Sequence, residues 1–89
     1  MILGKVIGSI VSTQKDKGLI GKKLLIVNAI DLEGNLLENF VIAADLVGVG
    51  VGENVLVVLG SSARLTDETR EKAIDSAIIA KVDNYSYQK

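Results

Sequence analysis

Gly48, Gly50 and Gly52 stand at alternate positions and form the stretch most suggestive of phosphate chemistry. A dinucleotide fingerprint is G-x-G-x-x-G, set between a strand and a helix so that the helix N-terminus meets pyrophosphate. Here the spacing is G-x-G-x-G, and Glu53 occupies the position that needs the last glycine. A carboxylate there repels a phosphate. The residues that follow, Val55 to Leu59, are a run of Val and Leu too short for a helix and bounded by Gly60, so they read as a strand. The glycines are therefore expected to join strand to strand. Positive φ or close backbone approach at such positions suits a tight corner or a subunit contact.

Other constellations are weaker. Gly18-Leu19-Ile20-Gly21, followed by Lys22 and Lys23 and preceded by Lys15 and Lys17, matches the GXXG loop by which KH domains clamp backbone phosphates. That loop joins two helices, whereas this one is expected to join two strands, and a glycine turn with solvated lysines is the favoured reading. A Walker A loop is excluded, because Asp16 sits where its first glycine belongs and Lys23 where Ser or Thr should hold magnesium. Asp31, Glu33 and Glu38 near one turn, and Asp67, Glu68 and Glu71 in a charged segment, read as solvated carboxylates with no reason for a shifted pKa. Ser61 and Ser62 near Arg64 lack an adjacent base, so no nucleophile is assigned. Glu53 and Arg64 flank the Val55–Leu59 strand. They are candidates for a pair across a subunit interface, where Arg suits planar bidentate contacts. Asp45 and Asp83 each follow an apolar strand and are expected to cap turns through their side chains.

The elements that position these residues follow from composition and pattern. Eighty-nine residues make one small domain, 1–89. A chain this short buries only about 60–65% of its unfolded surface and is marginal alone. With no cysteine and no histidine, disulfides and thiolate or imidazole metal sites are excluded. Hydrophobic residues make up 48% and aromatics 3%, which gives a well-packed aliphatic core and few stacking platforms for bases. So apolar a chain fits either a rich core or burial by oligomerisation. A net charge of −1 argues against non-specific nucleic-acid binding. No apolar run approaches the roughly 18–20 residues of a membrane-spanning helix. Met1 to Gly8 lacks a charged n-region and a cleavage site, so no signal peptide is expected.

Met1 to Thr13 reads as a first strand, with Gly4 and Gly8 marking bends or bulges. Lys23–Ile30 and Leu36–Ala44 form a hairpin around Asp31-Leu-Glu33-Gly34-Asn35. Val55–Leu59 and Ile78–Val82 complete five strands. Thr66 to Lys72 is a charged loop or short helical turn, and Asp75 or Ser76 is placed to cap a brief helix before Ile78. Short strands with glycine turns predict an all-β fold, a small five-stranded OB-like barrel with a short helical turn near the C-terminus.

Three pieces of the chain together carry a family resemblance. The first runs from Gly4-Lys5-Val6-Ile7-Gly8 through Thr13-Gln14-Lys15 to Leu19-Ile20-Gly21-Lys22-Lys23-Leu24-Leu25. The second is Asp45-x-Val47-Gly48-x-Gly50-x-Gly52-Glu53-x-Val55 with Gly60-Ser61-Ser62-Ala63-Arg64, and the third is Asp75 to Asp83. In this order they resemble the bacterial microcompartment vertex proteins of the EutN/CcmL family over nearly the whole chain. Val49, where Ala is usual, Ala80, where Gly is usual, and Lys81, where an apolar residue is usual, depart from the pattern. The resemblance implies a cytoplasmic, non-enzymatic shell protein without cofactors. It implies a homopentamer at shell vertices whose rim meets hexameric shell proteins. Gly48, Gly50, Gly52, Glu53, Gly60, Ser61, Ser62 and Arg64 are then the candidates for the subunit interface or the axial pore. The alternatives are an OB-like or KH-like nucleic-acid binder and a small enzyme.

Overall fold

Alternation along the strands decides which side chains face inward. Val6 on the first strand, Leu25 and Val27 on the second, Ala43 on the third, Val55 and Val57 on the fourth and Ile78 on the fifth are all buried and pack as one cluster. The computed structural model describes residues 1–11, 23–60 and 75–88. Its strands are β1 (Ile2–Ile10), β2 (Leu24–Ile30), β3 (Leu36–Asp45), β4 (Asn54–Leu59) and β5 (Ser76–Val82). They close into a barrel in the order β1-β2-β3-β5-β4, with β4 returning to β1. All pairs are antiparallel except β3 with β5, which run parallel and meet only at Ala44–Ala77 and Asp45–Ile78. The expected OB-like barrel is therefore present and closed.

The two glycines of β1 serve different ends. Gly8 lies at the expected irregularity, where the β1–β2 register shifts between Val6 and Gly8 and leaves Ile7 as the extra residue. Gly4 is no bend. It pairs with Ala29 and Val55 on its two sides, and a Cβ there would fall 2.5 Å from Val27 Cγ1 and 2.9 Å from the Asn28 carbonyl oxygen. Its missing side chain lets β2 approach.

The β2–β3 hairpin turns where expected. Asp31 Oδ1 accepts the N–H groups of Glu33 and Asn35, at 2.9 and 3.0 Å, and Gly34 takes φ 88°. The Asn35 N–H bond is the largest influence on the Asp31 carboxyl; together with the bonds from Glu33, the Asn35 side chain and Gly34 it outweighs desolvation and holds the carboxyl below its usual value. The expectation that exposed carboxylates here are unshifted is corrected at Asp31: exposure does not prevent several N–H groups from converging on one carboxylate. Farther along, the β2–β3 register is irregular between Asn28 and Ile30. Buried Asn28 holds that irregularity by donating its Nδ2 to the carbonyls of Ala29 and Leu37, at 2.9 and 2.8 Å.

One expectation near the C-terminus fails. Ser76 is the first residue of β5, paired with Leu59, and the Asp75 carbonyl accepts the Gly60 N–H at 2.7 Å. Neither residue caps a helix before Ile78, because β4 claims this backbone as a ladder partner. The charged segment Thr66 to Lys72 lies outside the described residues.

Candidate subunit interface

The glycine corner joins β3 to β4 at one end of the barrel, and carboxylates of the same chain satisfy its backbone. Asp45, the last residue of β3, accepts N–H bonds from Val47 and Gly48 on Oδ1, at 3.0 and 2.9 Å, and from Val49 on Oδ2, at 2.9 Å. Gly48 has φ 93°, which turns the chain back so that Val49 is buried, 2% exposed, in the barrel core. Lys23 donates its Nζ to the Val49 carbonyl at 3.2 Å, and its own carbonyl accepts the Asp45 N–H at 2.9 Å. Val49 thus plugs the end of the barrel, held by its backbone on both sides. Burial acts to raise the Asp45 pKa; the Gly48, Val47 and Val49 N–H groups, with the charge of Lys23, outweigh it and leave the carboxyl below its ordinary value.

The second half of the corner is a four-residue turn, Gly50 to Glu53. The Glu53 N–H donates to the Gly50 carbonyl at 3.2 Å, and Gly52 at the third position has φ 94°, the geometry a type II turn requires. Glu53 closes the turn a second time, since its Oε1 accepts the Gly50 N–H at 2.8 Å. Val6 ties the turn to β1, accepting from Gly52 at 2.8 Å and donating to the Glu53 carbonyl at 3.0 Å. Glu53 Oε2 meets Lys81 Nζ of β5 at 2.8 Å, and Asp83 lies 3.9 Å from the same ammonium. The Lys81 hydrogen bond first, then the Gly50 N–H, lower the Glu53 pKa; the Glu53 hydrogen bond and charge, with Asp83, raise that of Lys81.

This arrangement decides between the two readings of the glycines. The N–H groups of Val47, Gly48, Val49 and Gly50, which a phosphate would need, are already taken by Asp45 and Glu53. The corner is a built strand connection that shows two side chains outward, Val47 at 47% and Val51 at 67% exposure. Such displayed apolar side chains suit a protein contact.

Of the residues singled out in sequence, the structure brings Gly48, Gly50, Gly52 and Glu53 together. Gly60 stands at the far end of β4 with φ 64°. Ser61, Ser62 and Arg64 lie outside the described residues, as does the Gly18–Gly21 loop with Lys15, Lys17 and Lys22. The partner that Glu53 does have is Lys81 of its own chain. Lys81, Lys23 and Val49 went unassigned at this site. The available signal was Lys81 itself, a charge in an otherwise apolar strand, which asks for an opposite charge nearby. Asp45 caps its turn as expected, while Asp83 faces Lys81. Among the described residues no group of three acidic side chains could hold a metal ion, and no helix is long and apolar enough to cross a membrane.

Comparison with known proteins gives one consistent result. The family described as Ethanolamine utilisation protein EutN/carboxysome matches residues 1–83. The bacterial microcompartment shell vertex protein PduN of Salmonella typhimurium is 46% identical over 90 residues, covering 97% of this chain and 99% of the relative. The carboxysome shell vertex protein CcmL of Synechococcus elongatus is 41% identical over 88 residues, covering 99% and 89%. Among solved structures, the GrpN pentameric microcompartment shell protein from Rhodospirillum rubrum superposes with a TM-score of 0.88 at 39% identity, covering 100% of both chains.

Proposed function

The chain belongs to the EutN/CcmL family, and on that footing we propose that it is a structural shell protein whose cyclic pentamer caps the vertices of a bacterial microcompartment in the cytoplasm. The observation that carries this reading is end-to-end similarity to a pentameric shell protein, over the full length of both chains. A cyclic ring needs a heterologous interface, one patch meeting a different patch on the neighbour. The glycine corner suits such a contact or the wall of the axial opening, because its backbone is fixed from within and its Val47 and Val51 side chains face outward. Gly60, Ser61, Ser62 and Arg64 are assigned to the same set on the resemblance. The ring's rim meets hexameric shell proteins, and the role is architectural, with neither catalysis nor nucleic-acid binding.

Shell closure tests this. Hexameric shell proteins of one compartment are co-produced with and without the chain, and the particles are imaged by electron cryo-microscopy. Closed shells with five-fold density at the vertices are expected only when the chain is present. Vertices that close equally well without it, or that lack its density, contradict the proposal.

A further inference from the structure

Ladder pairing on β5 ends at Val82, which pairs with Asn54, and the chain continues outside the barrel. Asp83 to Gln88 form no helix or strand. Among the described residues, one hydrogen bond returns this segment to the barrel. Tyr85 donates its hydroxyl to the Leu32 carbonyl of the β2–β3 turn at 2.9 Å. Tyr87 stacks on Tyr85, with ring centroids 6.3 Å apart and planes inclined by 25°. The segment spans a row of half-buried side chains on the outside of the barrel, Leu3 of β1, Leu56 of β4 and Ala80 of β5, which pair in register. A groove of about 590 Å³ lies between, bounded by this row, Val82, Leu32 and Tyr85. The segment is therefore not packed down onto the barrel. It bridges an apolar row and holds on at its far end. The β2–β3 turn gains a support that pairing does not supply: on the β1 side its ladder stops at Gly4–Ala29, and β3 has no β5 partner before Ala44.

We infer that Asp83 to Gln88 is a strap with two states. Closed, as here, it covers the Leu3–Leu56–Ala80 row and steadies the hairpin tip through Tyr85. Open, it uncovers the row and lets the tip move. The inference concerns the single barrel and holds whether or not a ring forms. The Glu53–Lys81 ion pair fixes β5 just before the strap, which places the hinge at Asp83 and Asn84, both exposed. The tyrosine stack joins two residues of the strap itself, so it makes the strap move as one piece without adding to the latch. The latch is the Tyr85 hydroxyl alone. One neutral hydrogen bond favours the closed form by only about two- to tenfold. Opening is then a local event that leaves the barrel core folded, and the apolar row is displayed by a shift in population.

The chain has no cysteine, so a thiol placed under the strap reports its opening. Leu56→Cys is labelled with a bulky maleimide in three full-length backgrounds: the intact strap, Tyr85→Phe and Tyr85→Ala. Tyr85→Phe keeps the ring and its stack and removes only the latch. It is expected to speed labelling by about two- to tenfold, and Tyr85→Ala by at least as much. Val11→Cys, exposed just past the other end of β1, is expected to label at one rate in all three. Hydrogen exchange reads the hairpin. The amides of Glu33 to Leu36 should exchange faster by a similar factor in Tyr85→Phe, while those of Val55 and Val57 in the core of β4 keep the parent rate. Equal labelling of Leu56→Cys in all three backgrounds overturns the inference, because the strap then covers nothing. Faster exchange at Val55 and Val57 to the same degree as at the turn also overturns it, because the hydroxyl then supports the whole barrel and latches no strap.

Discussion

Asp45 accepts three backbone N–H groups, so replacing it leaves three donors of the corner to find water. Asp45→Ala is expected to lower stability by about 1–2 kcal/mol, the range for a partly exposed charged acceptor, read from urea unfolding curves. The pH dependence follows from its lowered pKa. The unfolded carboxyl, near 3.8, binds a proton before the folded one does. Stability from this group is fully present above that value and is lost as pH falls through the folded pKa. Asp45→Asn should flatten the acid limb of a stability–pH curve; an unchanged limb would show that the shift has no energetic weight. The glycines divide in a checkable way. Gly48 and Gly52 have φ above +90°, where a β-branched residue is strained, so Gly48→Val and Gly52→Val should each cost about 1–3 kcal/mol. Gly50 has no such angle, and a Cβ there would make only ordinary contact with Glu53 Oε1 at 3.6 Å. Gly50→Ala should melt close to the parent. Equal losses at all three positions would refute this assignment of the turn.

Along each element, much was legible because the period-2 pattern of Val, Ile and Leu is strong: all five strands and the Asp31–Asn35 turn fall where the residues placed them. Ser76 was misread because its type suits a helix cap as well as a strand, and only the pairing with Leu59 decides. The parallel β3–β5 contact and the closure of β1 on β4 leave no local trace, since they join segments far apart in sequence. For the same reason the intrachain pairing of Glu53 with Lys81, which comes from another strand, was not foreseen; Arg64, the expected partner across a subunit interface, lies outside the described residues. Gly4 looked like a bend because sequence cannot show that β2 runs within 3 Å of its missing Cβ. Gly4→Ala should force β1 and β2 apart and cost about 1–3 kcal/mol, as overpacking does. Thermal unfolding measures it, and a melting temperature equal to the parent's would show that β2 yields freely.

At the scale of the whole molecule, the chain buries a core of Val, Ile and Leu and still leaves Phe40, Ile42, Val47 and Val51 exposed. A small barrel without disulfides has reason to cover such surface with copies of itself. The same physics explains what composition left undecided. Its apolar excess serves both a core and an outer surface, and only the structure separates the two. The ring is the central claim, and native mass spectrometry of the purified chain at micromolar concentration tests it most directly. The expected result is a dominant species at five times the 9.4 kDa chain mass, dissociating to monomer without a stable dimer. A chain that remains monomeric, or a closed assembly with a different number of copies, would contradict it.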